Sequence, residues 1–337
     1  MKKLYPILIK YGIVIGIIVF LIWLSFHHFT AQNWHDMLGA LKHARYILLL
    51  PVFALLLLSH IFRTLRWQQL IEPMGYNPPF FDLLCALLTG YLANEVLPRG
   101  GEVIRCTVVT RKHKIPVEKL IGTIITERAV DVVCLLLLGV SILFMQYGLV
   151  SSYISDLVFK QSKLHAGNPS LRWRVIALAV LITAIIIIAT RLVIKKYPAF
   201  FKKLTHGFKE GFFSIKKLKH RWKFITYTTL MWACYILTTW LGCFAMQETQ
   251  HLTISAGIIL LFAGTLGIIV TPGGFGAYPM AIQNAVRLYN ISEDIGLAFG
   301  WLLWLSQFLF TTLFGTVAYI LITARKNKYE KHSISGT

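Results

Sequence analysis

The run Asn94-Glu95-Val96-Leu97-Pro98-Arg99-Gly100-Gly101-Glu102-Val103-Ile104-Arg105 gathers the groups best suited to hold a charged ligand. Proline and paired glycines interrupt a helix here, because the ring removes an N–H and glycine adds backbone freedom. Carboxylates and guanidinium groups collect at the interruption. Two readings stay open: an ion-paired turn that merely shapes the break, with Glu102 and Arg105 three apart on a resumed helix, or a phosphate site at Arg99 and Arg105.

A second set, Glu127, Arg128 and Asp131, lies about two turns inside a long apolar stretch that starts near Leu120. Ionisable groups in a span cost about 2.5–3.5 kcal/mol each on insertion scales, so they pair with one another or line a pathway. Glu127 and Asp131 share a helical face. Arg128 can serve either acid, and Glu127 can meet Arg99 or Arg105 across the bundle. A structural salt bridge and a functional carboxylate fit this pattern equally well.

The third is Thr271-Pro272-Gly273-Gly274-Phe275-Gly276-Ala277-Tyr278-Pro279. It lacks the lysine of a P-loop, so a tight turn is the better reading, with freed backbone N–H groups open to an anionic headgroup. No H-E-x-x-H or G-x-S-x-G occurs, and the histidines are scattered. No catalytic residue, metal ligand or cofactor site follows from the sequence. Cys85, Cys106, Cys134, Cys234 and Cys243 form no C-x-x-C pair and suggest neither disulfides nor zinc.

The elements that position these residues are set by composition. Of 337 residues 56% are hydrophobic and 14% charged, and mean hydropathy is +0.64, more apolar material than one water-soluble core needs. The net charge of +20 could signal nucleic acid, but in a chain this apolar it signals anionic membrane and not nucleic acid. The expected class is all-α: a polytopic membrane protein with about six spanning helices and two re-entrant broken segments. The spans run near Tyr11–Phe29, Tyr46–Leu65, Leu120–Tyr147, Trp173–Val193, Phe224–Met246 and Ile295–Thr323. The first reads as a retained span, since no small-residue cleavage site follows it.

Charge decides the topology. The segment 191–223 holds eleven Lys and Arg against Glu210, and Arg99–Lys119 and the C-terminus are basic too. The positive-inside rule puts all of these, and both termini, in the cytoplasm of a plasma (inner) membrane protein. That holds only if the segments 81–97 and 252–289 dip in and return. Each half, 1–150 and 173–325 of a single membrane domain, then crosses three times, which makes an inverted repeat with a site where the two breaks meet. Residues 191–223 read as a basic amphipathic connector, either solvated or recruiting lipid.

At these residues the chain resembles the lysylphosphatidylglycerol synthase transmembrane family of flippase-like proteins. The resemblance rests on Asn94, Pro98, Arg99, Gly101, Glu102 and Arg105, on Glu127-Arg128 with Asp131, and on Pro272-Gly273-Gly274-Phe275-Gly276. It implies translocation of a phospholipid or polyprenyl-linked lipid with an anionic headgroup. Tyr278 and Pro279 stand where the family usually has a glutamate. With Thr337 closing the sequence and no aminoacyl-transfer domain following, aminoacylation is not expected. The competing expectation is a scaffold that docks a separate glycosyl- or aminoacyltransferase on its basic loop. For the translocator, the candidate binding residues are Asn94, Glu95, Arg99, Gly101, Glu102, Arg105, Glu127, Arg128, Asp131, Pro272, Gly273, Gly274, Gly276 and Tyr278.

Overall fold

A computed structural model describes residues 30–96, 100–146 and 220–334, with isolated positions among 16–27 and at 148 and 218, and side chains as far as 324. The described residues are helical, with no strand among them. An amphipathic helix, α1 (Ala31–Lys42), opens on a capping box. Thr30 and Asn33 satisfy each other's backbone N–H, which fixes where the helix begins. α1 buries Met37 and Ala40 against the main core and leaves Trp34 and Leu38 exposed.

There follow α2 (Leu49–Ile71), α3 (Phe80–Val96), α4 (Gly101–His113) and α5 (Val117–Met145). After the undescribed segment come α6 (Arg221–Cys243), α7 (Ile254–Val270), α8 (Ala277–Val286) and α9 (Glu293–Ile334). Three stretches are long and apolar enough to cross a bilayer: Tyr46–Met74, Val117–Met145 and Glu293–Ala324. They overlie three of the spans expected from the sequence. α6 has the length, 23 residues or about 35 Å, but carries more threonine and tyrosine. The expected spans at 11–29 and 173–193, like the connector at 191–223, fall largely or wholly outside the described residues.

Both broken segments double back. α3, α4, α7 and α8, at 17, 13, 17 and 10 residues, reach about 25, 20, 25 and 15 Å, short of the ~30 Å hydrocarbon. In the first hairpin Gly90 faces Gly101 beside the break, while Asp82 takes Lys112 at 2.8 Å and His113 at 3.0 Å at the open end. In the second, Gly267 lies against the Tyr278 backbone. Glycine at these contacts lets backbones approach closely, which matters in lipid, where no hydrophobic force draws helices together.

Several long elements pair antiparallel. α2 runs against α6, with Phe62 beside Tyr227 near one end and Leu241 beside Val52 and Leu56 near the other. α3 packs on α9 through Leu88, Leu92 and Gly315. α7 packs on α5 through Phe262 against Gly139 and through the Gln146–Ser255 hydrogen bond of 2.8 Å. On α5 the side chains of Leu136, Leu137, Val140 and Phe144 stay exposed, and on α9 Leu305, Leu309, Leu313 and Val317 form an outward stripe at four-residue spacing. Such apolar stripes face lipid tails.

Candidate functional site

The first break is tied across by a side chain. The amide oxygen of Asn94, near the end of α3, accepts from the Gly101 N–H at 2.8 Å and so serves one of the free donors that start α4. A Cβ on Gly101 would collide with the Gly90 carbonyl and come within 2.7 Å of the Asn94 side chain. Gly101 is therefore a packing residue. Arg99 lies outside the described residues.

Behind the first hairpin lies a buried ionic cluster. Arg66 of α2 donates to Asp131 at 2.8 Å and stands 3.6 Å from Glu127. Arg63, one turn earlier, reaches the other Asp131 oxygen at 3.2 Å and the Tyr235 hydroxyl at 3.3 Å. Arg105 of α4 holds Glu127 at 2.9 Å, with its guanidinium stacked 3.5 Å over the Trp67 ring. The side chains of Arg66 and Glu127 are fully buried. Three cations against two anions leave one positive charge in excess, and Arg66 and Arg105 each keep N–H groups without a partner among the described residues. Ionisable groups this deep are tolerable only because they engage one another.

One sequence-based pairing is corrected here, and another, Glu127 with Arg105 across the bundle, is found. Glu102 does not pair with Arg105; it pairs with Arg128 at 3.0 Å, on the open side of α4 and α5. The cause is Glu127: a carboxylate with no exposure needs a buried cation, and Arg105, deeper in α4, supplies it. Arg105 is 3% exposed and does not line the cavity described below. Glu127 and Asp131 do share a face, and both use Arg66.

Arg63 and Arg66 were missed as site residues because the sequence suggested a span ending near Leu65, which made them flanking charges. α2 continues to Ile71 and encloses both. The usable signal was two arginines three apart within a helix that goes on to bury Trp67, Leu70 and Ile71.

The second break turns on Gly273, Gly274 and Gly276, at φ 60, 73 and 75°. Side chains with a Cβ rarely adopt this region, so the glycines are needed for the turn itself. Trp304 Nε1 donates to the Gly273 carbonyl at 2.8 Å, Thr271 Oγ1 donates to Phe275 O at 3.0 Å, and the Phe275 ring sits edge-on to Trp301 and Trp304. Tyr278 turns away into its own hairpin, buried against Gly264 and Gly267, and does not line the cavity described next.

The tips of the two hairpins meet. Glu95 Oε2 lies 2.7 Å from where a Cβ on Gly273 would stand. Around this junction opens a cavity of about 950 Å³, large for a small-molecule site. Its polar part comes from Asn94, Glu95, Glu102, Arg128, Thr271 and Gln307, with Pro272, Gly273 and Trp304 beside them. Its walls are apolar: Ile121, Ile125 and Val132 on one side, Ile268, Ile269 and Val270 on the other. These six side chains are 37–70% exposed, so they are not packed into the protein core. Arg128, 46% exposed, is the lining cation among the described residues. No group of three His, Cys, Asp or Glu among the described residues could hold a metal ion, and all five cysteines are free thiols.

These features define a helical membrane protein with two broken hairpins around an amphiphilic cavity. The chain belongs to the family of the lysylphosphatidylglycerol synthase TM region, which matches residues 7–315. It is 23% identical over 291 residues to a UPF0104 membrane protein of Methanocaldococcus jannaschii, an alignment covering 82% of this chain and 85% of that one. No solved structure matches.

Proposed function

We propose that the protein is a flippase-like translocator that carries a phospholipid or polyprenyl-linked lipid with an anionic headgroup between leaflets, without covalent chemistry. The observation that supports this most is the junction of the two hairpin tips: a cavity polar at the tips and apolar along its walls. A lipid has the same division. Its phosphate would sit at Arg128 and its acyl chains along Ile121, Ile125, Val132 and Ile268–Val270. Moving a headgroup through hydrocarbon is costly because nothing there satisfies its polar atoms; a protein-lined polar route lowers that cost.

Arg128 is the phosphate ligand in this reading, with Glu102 as its resting partner. The pair is roughly half exposed, so exchanging Glu102 for phosphate costs little. Arg63, Arg66, Arg105, Glu127 and Asp131 form the rigid support behind it. The two halves, 1–150 and 173–325, work as an inverted repeat. In its favour, helix, hairpin arm, break, arm and long helix recur in order, at 23, 17, 13 and 29 residues and again at 23, 17, 10 and 42. In this reading the chain sits in the plasma membrane with both termini in the cytoplasm, an orientation that the basic loops favour.

The test is reconstitution into liposomes with a panel of tail-labelled lipids whose exposure to an external quencher is followed. Movement faster than in empty liposomes for an anionic lipid, and slower with R128Q, supports the reading. Rates equal to empty liposomes for every lipid refute it.

A further inference from the structure

We propose that Glu95 is a proton-binding site of the cavity, taking up and releasing one proton as the two hairpin tips close and part. The inference rests on the translocation reading and adds to it an ion that couples to the movement.

The carboxylates around the cavity differ in their company. Glu127 and Asp131 are each engaged by guanidinium groups at 2.8–3.2 Å and lie behind the first hairpin. Glu102 is held by Arg128 at 3.0 Å. Glu95 lines the cavity and has no hydrogen-bond or ion-pair partner among the described residues. Among the described residues, its surroundings contain little else that titrates. The second hairpin offers Thr271, Pro272 and Gly273, and α9 offers Trp304 and Gln307. Its own helix adds Tyr91 and Asn94, the latter occupied with Gly101. From α4 and α5 come Glu102 and Arg128, already paired, with Arg128 also 3.9 Å from Asp131.

Position gives that carboxyl group leverage. It fills the space that Gly273 leaves by having no Cβ, so the tips meet through Glu95 itself. A neutral carboxyl can pack against a backbone turn in a medium of low dielectric, whereas a carboxylate without a counter-charge needs water. With the tips closed the group therefore carries its proton. When the tips part, water enters, accepts the proton and leaves a solvated carboxylate. Closure again requires a proton from water on whichever side is then open. The cycle moves one proton, makes or breaks one O–H bond, and uses no other reactant.

Coupling of one proton per lipid limits the bias between leaflets to about tenfold per unit of pH difference. The experiment uses the full chain in vesicles of phosphatidylethanolamine and phosphatidylglycerol, with tail-labelled phosphatidylglycerol as probe, at symmetric pH and with a one-unit gradient of either sign. The expected result is a leaflet distribution that follows the gradient in the wild-type protein, is lost in E95Q, and persists with a shifted pH midpoint in E95D. A gradient response that survives E95Q overturns the proposal. A second measurement does not depend on transport: infrared titration of the detergent-purified protein. A protonated-carboxyl C=O component that titrates in the wild-type-minus-E95Q difference spectrum supports the site; identical carboxyl titrations in the two proteins overturn it. If the wild-type protein moves no lipid from the whole panel, the translocation reading falls, and the infrared comparison still decides the proton site.

Discussion

Removing the charge of Glu127 tests whether the arginine cluster is a support or a ligand site. In the folded protein Glu127 is fully buried, 2.9 Å from Arg105 and 3.6 Å from Arg66. At an effective dielectric of ~20 the two attractions amount to about 6 and 5 kcal/mol, offset in the intact protein by desolvation of all partners. E127Q keeps the volume and removes the charge, raising the cluster from one excess positive charge to two. Breaking a buried pair in this way costs about 3–5 kcal/mol, most of it from stranding the partner. R105Q alone should cost a similar amount, since Arg105 also loses its stack on Trp67. The double variant E127Q/R105Q restores the charge balance and should cost at least 2 kcal/mol less than the two single costs added together. The assay is the unfolding free energy of each protein in detergent, with lipid movement measured per folded molecule. Additive costs, or E127Q within about 0.5 kcal/mol of wild type, refute the support role.

Three further predictions concern the cavity and its frame. R128Q should weaken binding of an anionic lipid at least tenfold with little loss of stability, R128K should keep part of it as a point charge without the fork, and E102Q should tighten it by freeing Arg128; lipid titration of the purified proteins reads all three. G101A should destabilise by about 1–3 kcal/mol, because the new methyl meets the Gly90 carbonyl and the Asn94 side chain, whereas G122A on the open face of α5 should be neutral in the same melts. Single cysteines at Asn77 and Lys114, in a cysteine-free background, should react with an impermeant maleimide from the cytoplasmic side, and those at Gln250 and Asn290 from the other; one shared side would end the inverted arrangement.

The helices and both breaks were legible because their cause is local. Pro98 removes a backbone donor at the first break, and Pro272 with three nearby glycines at φ 60–75° demands backbone angles that no continuing helix allows, and this is visible in one dimension. Pairing was not legible, because it depends on what happens between elements. Glu102 and Arg105 satisfy the i,i+3 rule and still take different partners, since a carboxylate 22 residues further on draws its buried cations, among the described residues, from α2 and α4. Likewise Arg63 and Arg66 cannot be told from snorkelling flank charges until α2 is known to extend past them. Tyr278 shows the opposite case: its place beside a glycine-rich turn suggested a ligand, while on α7 Gly264 leaves room for its ring and Gly267 for its backbone. In lipid, where burial alone rewards no contact, helix partners are chosen by unmet charges and by gaps where a Cβ is missing. Both are properties of pairs, and a single sequence records only one member of each pair at a time.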